Sequence, residues 1–183
     1  TDLLAHEYTH SWNGKYRRGA DLWTPNYNVP MQDSLLWVYE GQTQFWGNVL
    51  AARSGMRPLA ASRDALALVA ATYADNRAGL QWRGIQDTTN DPIVVGRASR
   101  AYLNYQMSED YYRGGQMIWL EADALIRART GGKKSLDDFA KAFFGVNDGE
   151  WEQQNTYTFE DVVATLNGVM PYDWATFLRE RLD

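Results

Sequence analysis

The 183-residue sequence predicts a mainly α-helical fold, organised as one domain with little β-structure. Three observations carry that expectation. Apolar residues recur at helical spacing from end to end, helix start and stop signals divide the pattern into segments, and the pattern lapses at length only between Gly79 and about Met107.

Taken in order, Thr1 to about Arg18 reads as a truncated helix running into a polar, glycine-containing exit. Gly19 to Asp33 carries Pro25 and Pro30 and reads as an irregular connection. Asp33 or Ser34 is placed to cap a helix through Leu36, Val38 and Val49, which Gly55 stops. Pro58 suits the first turn of an alanine-rich helix from Leu59 to about Ala78. Gly79, Gly84, Pro92 and Gly96 then interrupt the pattern, and a connection of that length inside a compact domain marks a lid, a binding loop or disorder. A long helix resumes at about Ser108 and ends at Thr130, before Gly131-Gly132. Three short helices follow, with start signals at Ser135 with Asp138, Thr158 with Asp161, and Pro171 with Asp173.

Composition narrows the function classes. Hydrophobic residues at 45% and charged residues at 22% match ordinary folded domains, which sets aside disorder, collagen and coiled coil. The longest apolar stretches, such as Ala65 to Ala71, fall far short of the roughly 20 residues a membrane span needs. The net charge is −5 and only Lys15, Arg17 and Arg18 approach a basic cluster, so nucleic acid is not the expected partner. Without cysteine there are no disulfides, thiolate metal sites or cysteine catalysis, and the cellular compartment is left open. The aromatic fraction of 14%, with 8 Trp and 11 Tyr, points to an aromatic-lined groove as well as a core; Trp12, Trp23, Tyr27 and Trp46 are candidates for either use. A chain that opens at Thr1 and enters a helix almost at once is expected to be a fragment of a longer polypeptide.

The chemistry concentrates in His6-Glu7-Tyr8-Thr9-His10. Four residues along a helix is just over one turn, so both imidazoles project from one face and can hold one metal ion. Two histidines placed at random in a chain of this length would fall four apart about once in a hundred placements. Glu7 sits at the edge of that face, placed to take a proton from water beside the metal instead of ligating. A catalytic zinc commonly takes three protein ligands. With His6 and His10 the only histidines and no cysteine present, the third must be a carboxylate. Glu40 stands apart among the candidates, because it lies in the aromatic and aliphatic stretch Leu35 to Trp46, where a lone charge is costly unless paired or coordinated. Asp110-Tyr111-Tyr112-Arg113-Gly114-Gly115 supplies a third piece: a phenol is a suitable neutral donor to an oxyanion, and two glycines permit a close backbone approach, for example by the metal-binding helix. Tyr pairs at this spacing also serve as core. Asp2 and Thr43 are candidates for orienting the imidazoles, and Glu109 and Asp110 for meeting a substrate amine or complementing a helix dipole.

These pieces, in this order, resemble the glycyl aminopeptidase family of zinc metallopeptidases, in the gluzincin group. The likeness rests on His6 to Lys15, on Leu36-Trp37-Val38-Tyr39-Glu40-Gly41-Gln42-Thr43, on Tyr111 to Gly115, and on Gly131 to Phe139, and so spans nearly the whole chain. Gly14 stands where many members carry an aliphatic residue, and Arg113-Gly114 replaces a commoner Thr-Lys pair. The resemblance implies the helical half of a thermolysin-like catalytic domain over residues 1–183, with zinc (Zn2+) held by His6, His10 and Glu40 and Glu7 as general base. It further implies Tyr112 as the tyrosine that steadies the tetrahedral intermediate, with Tyr111 as the fallback. The implied reaction removes N-terminal residues, such as Gly or Ala, from a peptide substrate. Flanking β-rich and PDZ-type domains are implied in the full-length protein, so the isolated chain is expected to bind zinc but hydrolyse peptides feebly. Two other classes fit the sequence: a non-catalytic helical module with a structural or lost metal site, and an aromatic-rich binding domain, for example for glycans.

Overall fold

The computed structural model describes residues 2–76, 78–94, 109–150 and 154–183. Helix α1 (Leu3–Thr9) is shorter than the sequence predicts. The Trp12 and Asn13 amides both turn back to Thr9 O, Gly14 adopts φ +140°, and the chain enters strand β1 (Arg17–Gly19) instead of continuing as helix.

The helix expected from Leu36 onward is two helices, α2 (Leu36–Tyr39) and α3 (Gly41–Arg53), that meet at Glu40. Backbone hydrogen bonds run through the junction, Glu40 N to Leu36 O and Gln44 N to Glu40 O, both 2.7 Å. Neither expected cap operates: Leu35 holds the N-cap position of α2, and the Ser34 hydroxyl binds the Asp21 carboxylate. Helix α4 (Leu59–Ala71) begins after Pro58 and continues as a π-helical turn, Thr72–Asn76. Part of the stretch read as irregular is ordered into a 3-10 turn (Ala78–Gln81) and two short helices, α5 (Ile85–Thr88) and α6 (Asp91–Val94). Gly96, Met107 and the predicted helix start at Ser108 lie outside the described residues, as does Thr1.

The long helix α7 (Arg113–Arg129) ends before Gly131 and Gly132, at φ +59° and +77°. Helices α8 (Leu136–Phe144) and α9 (Phe159–Val169) each start with the predicted capping box, Ser135 with Asp138 and Thr158 with Asp161. Asp173 caps α10 (Trp174–Leu182) by accepting from the Thr176 amide. The one sheet among the described residues is a parallel pair, β1 with β2 (Asn155–Tyr157), in which Arg17 faces Asn155 and Gly19 faces Tyr157. The fold is mainly α, as the sequence predicts, and no described helix is long and apolar enough to cross a membrane.

The core is built from large aromatics. Trp37 and Trp119 stack at 5.8 Å, and the Trp119 indole donates to Trp37 O. Phe139, Phe143, Tyr157 and Trp174 complete a fully buried set, over which the buried Arg17 guanidinium lies 4.3 Å from the Phe143 ring. Trp46 joins this core, whereas Trp12, Trp23 and Tyr27 are exposed. An aromatic-lined groove of about 720 Å³ does exist, with Trp12, Tyr16, Trp46 and Phe144 among its walls.

Helices α3 and α7 meet backbone to backbone. A Cβ on Gly115 would stand 2.9 Å from Gly41 Cα and 3.2 Å from Trp37 O. The close approach inferred from the glycine pair is therefore made to the Glu40-bearing segment, not to α1. Gly115→Ala is expected to cost about 1–3 kcal/mol through overpacking. Gly168→Ala, in α9 with nothing within 4 Å of the added carbon, should stabilise by about 0.5 kcal/mol. Urea unfolding of the two variants checks the opposite signs.

Candidate active site

Helix α1 rests on α3 at Gly47, where a Cβ would come within 3.0 Å of His6 Cβ. That contact turns the His6 and His10 face toward the α2–α3 junction, where Glu40 sits. His6 Nε2 and His10 Nε2 are 3.2 Å apart, and each lies 3.3 Å from Glu40 Oε2. Among the described residues these three form the only group of His, Cys, Asp and Glu side chains arranged to hold a metal ion.

Their spacing fits zinc. A tetrahedral ion with ligands at about 2.0–2.1 Å separates neighbouring ligand atoms by about 3.3–3.4 Å. Glu40 Oε2 is buried and receives no aligned hydrogen bond despite its two imidazole neighbours. His10 Nδ1 lies 2.8 Å from Asn13 O, a carbonyl that only accepts, so Nδ1–H donates to it and neutral His10 presents the lone pair of Nε2. An electron-rich nitrogen and an electron-rich oxygen thus converge with the second imidazole on one point, an arrangement a cation relieves.

Burial alone would raise the Glu40 pKa, but the His10 and His6 imidazoles overcome it and hold the carboxyl down to about 2. His10 moves the other way. Burial lowers its pKa, and the Glu40 carboxylate and Asn13 carbonyl more than reverse that, for a net rise.

Glu7 is exposed on α1. Together with His6, Glu109, Asp110, Tyr112 and Arg113 it lines a cleft of about 590 Å³. The Tyr112 ring lies 6.2 Å from that of His6 and near-parallel to it. Burial, with the Glu40 carboxylate beside it, pushes the Tyr112 phenol well above its ordinary pKa. Tyr111 is 3% exposed and belongs to the core cluster, so of the two tyrosines the structure brings Tyr112 to the cleft. Trp12 and Trp46 line the other groove. Asp2 pairs with Gln44 and Arg57 and touches neither imidazole. Thr43 acts at one remove, since its hydroxyl accepts from the Asn13 amide.

The family model of the M61 glycyl aminopeptidases matches residues 1–118. The chain belongs to the M61 glycyl aminopeptidase family. It is accordingly a member of a peptidase family, and the M61 match contains His6, Glu7, His10, Glu40 and Tyr112. The M61 match stops short of Gly131 to Phe139, the fourth stretch that carries the resemblance. Comparison with curated proteins gives no match.

Sequence reasoning missed Asn13, which is fully buried. Its amide nitrogen donates to Val38 O, Tyr39 O and Thr43 Oγ1 at 2.8, 3.2 and 3.1 Å, and its amide oxygen accepts from the Tyr157 hydroxyl at 3.0 Å. The available signal was a polar residue three positions past His10 between Trp12 and Gly14, a place where an amide is needed only if the chain turns inward. In this M61 chain Asn13→Ala strands these partners in the core and is expected to cost about 2–4 kcal/mol. Thr43→Val should cost about 1 kcal/mol. Thermal denaturation of both variants checks the ranking.

Proposed function

We propose that this M61 chain carries the catalytic centre of a zinc-dependent aminopeptidase that removes N-terminal residues such as Gly or Ala from peptides. The observation that carries the reading is the triangle of His6 Nε2, His10 Nε2 and Glu40 Oε2, with sides of 3.2 and 3.3 Å. These three residues would hold the ion. Zinc, when bound, supplies a Lewis acid and lowers the pKa of water toward about 7.

Glu7, one residue from His6 and open to the cleft, takes the proton of the attacking water. The same carboxyl then returns that proton to the amine that leaves as the C–N bond breaks. Tyr112 keeps its own proton through the working pH range, because its pKa is raised. Its O–H donates to the oxygen of the scissile carbonyl as negative charge develops there. Asn13 O keeps His10 in the tautomer that offers Nε2.

A structural site would close the shell with a fourth protein ligand. Among the described residues the group has three, which favours the catalytic reading over a structural metal. The family match favours it over a glycan-binding domain.

Zinc should bind the chain at one ion per molecule by elemental analysis, and His10→Ala or Glu40→Ala should abolish it. Replacing Glu7 with Gln in the zinc-loaded full-length enzyme should retain the metal and lower kcat by about 10²–10⁴ on an aminoacyl reporter. Unchanged activity in that variant would identify the metal as structural, and robust turnover by the isolated chain would refute the expectation that it hydrolyses feebly.

A further inference from the structure

The turn that delivers Tyr112 is held from outside by Thr88 and Asp91, with Tyr73 beside them. Glu109 lies at φ +49°, a left-handed conformation that a non-glycine residue keeps only when its surroundings fix it. Its amide donates to Asp91 Oδ2 at 3.1 Å. Two residues on, the Tyr111 amide donates to Thr88 Oγ1, also at 3.1 Å. Between them, Asp110 Oδ1 accepts from the Tyr73 hydroxyl at 2.6 Å. Thr88 and Asp91 are 0% and 2% exposed, so neither bond competes with solvent. Thr88 spends both capacities of its hydroxyl, donating to Ile85 O at 2.6 Å while accepting from Tyr111. Asp91 is fixed in turn by Arg83 Nη2 at 2.8 Å.

These contacts do something packing alone would not. Tyr112 is the N-cap of helix α7, its carbonyl accepting from the Gln116 amide, so the ladder ties Tyr112 on its C-terminal side and these contacts tie the chain that enters it. The amides on either side of Asp110 are aimed by two buried oxygen acceptors. We propose that Thr88 and Asp91 are positioning residues for the reaction: they lock the 109–111 backbone so that the Tyr112 hydroxyl points at the site of the developing oxyanion. This inference rests on the proposed role of Tyr112, and it assigns function to a stretch of chain that supplies no catalytic group.

The test uses Thr88→Val, which keeps the shape and loses the acceptor, with Thr88→Ser as the rescue. 3-Fluorotyrosine at position 112 of the chain reports the turn by 19F NMR independently of activity. The expected result is one narrow resonance in the parent and the Ser variant, and a shifted or split resonance in the Val variant. In the zinc-loaded full-length enzyme the Val variant should lose about 10- to 100-fold in kcat, with KM within about twofold and zinc content unchanged, and Ser should restore kcat. An unchanged 19F signal in the Val variant overturns the proposal. So does a change that Ser fails to reverse, or an unaltered kcat in an active parent. If the zinc-loaded parent shows no turnover, the aminopeptidase reading fails instead, and the 19F comparison alone decides whether Thr88 aims Tyr112.

Discussion

The site depends on one buried amide. Asn13 reaches from the turn after α1 to the carbonyls of Val38 and Tyr39 and to the Thr43 hydroxyl, which flank Glu40 on both sides. Its backbone carbonyl meanwhile takes the ring nitrogen of His10. One residue therefore registers the histidine-bearing helix against the glutamate-bearing junction. Each bond is modest alone, but those to Val38 and Thr43 are buried, and leaving a buried partner unmade costs more than making it gains.

Around that anchor, two helices approach as closely as backbones can. Gly47 lets α3 touch His6, and Gly41 with Gly115 lets α3 touch α7. These contacts leave room at the α2–α3 junction for a carboxylate and two imidazoles within 3.3 Å of one another. Such a cluster of ionisable groups opposes stability when nothing compensates it. Large apolar and aromatic burial, from Trp37 and Trp119 to Trp174, supplies the opposing gain at a distance from the cleft.

Most of the helical architecture was legible because it is written in local terms. Capping boxes at Ser135 and Thr158 and the glycine stop at Gly131-Gly132 depend on neighbours a few residues away. The His6, His10 and Glu40 set was legible for a similar reason, since helical spacing and a charge stranded among aromatics are properties of short stretches. What local reading could not reach was set by tertiary contact. Helix α1 stops at Thr9 because Asn13 is drawn inward, and the chain breaks at Glu40 where Gly41 meets α7. The exposed Trp12, Trp23 and Tyr27 show the same limit, because side-chain type alone does not say which aromatics find a partner.

The Tyr157 hydroxyl bond to Asn13 joins residues 144 positions apart, and the parallel pairing of Arg17 with Asn155 spans nearly the same separation. Contacts of such long reach are slow to form, because the chain between them must already be arranged. On a ribosome the histidine helix would emerge before strand β2 and lack its far anchor until that strand had followed it. Completion of the His6, His10 and Glu40 cluster is thereby tied to the arrival of β2, which places it late among the events of folding.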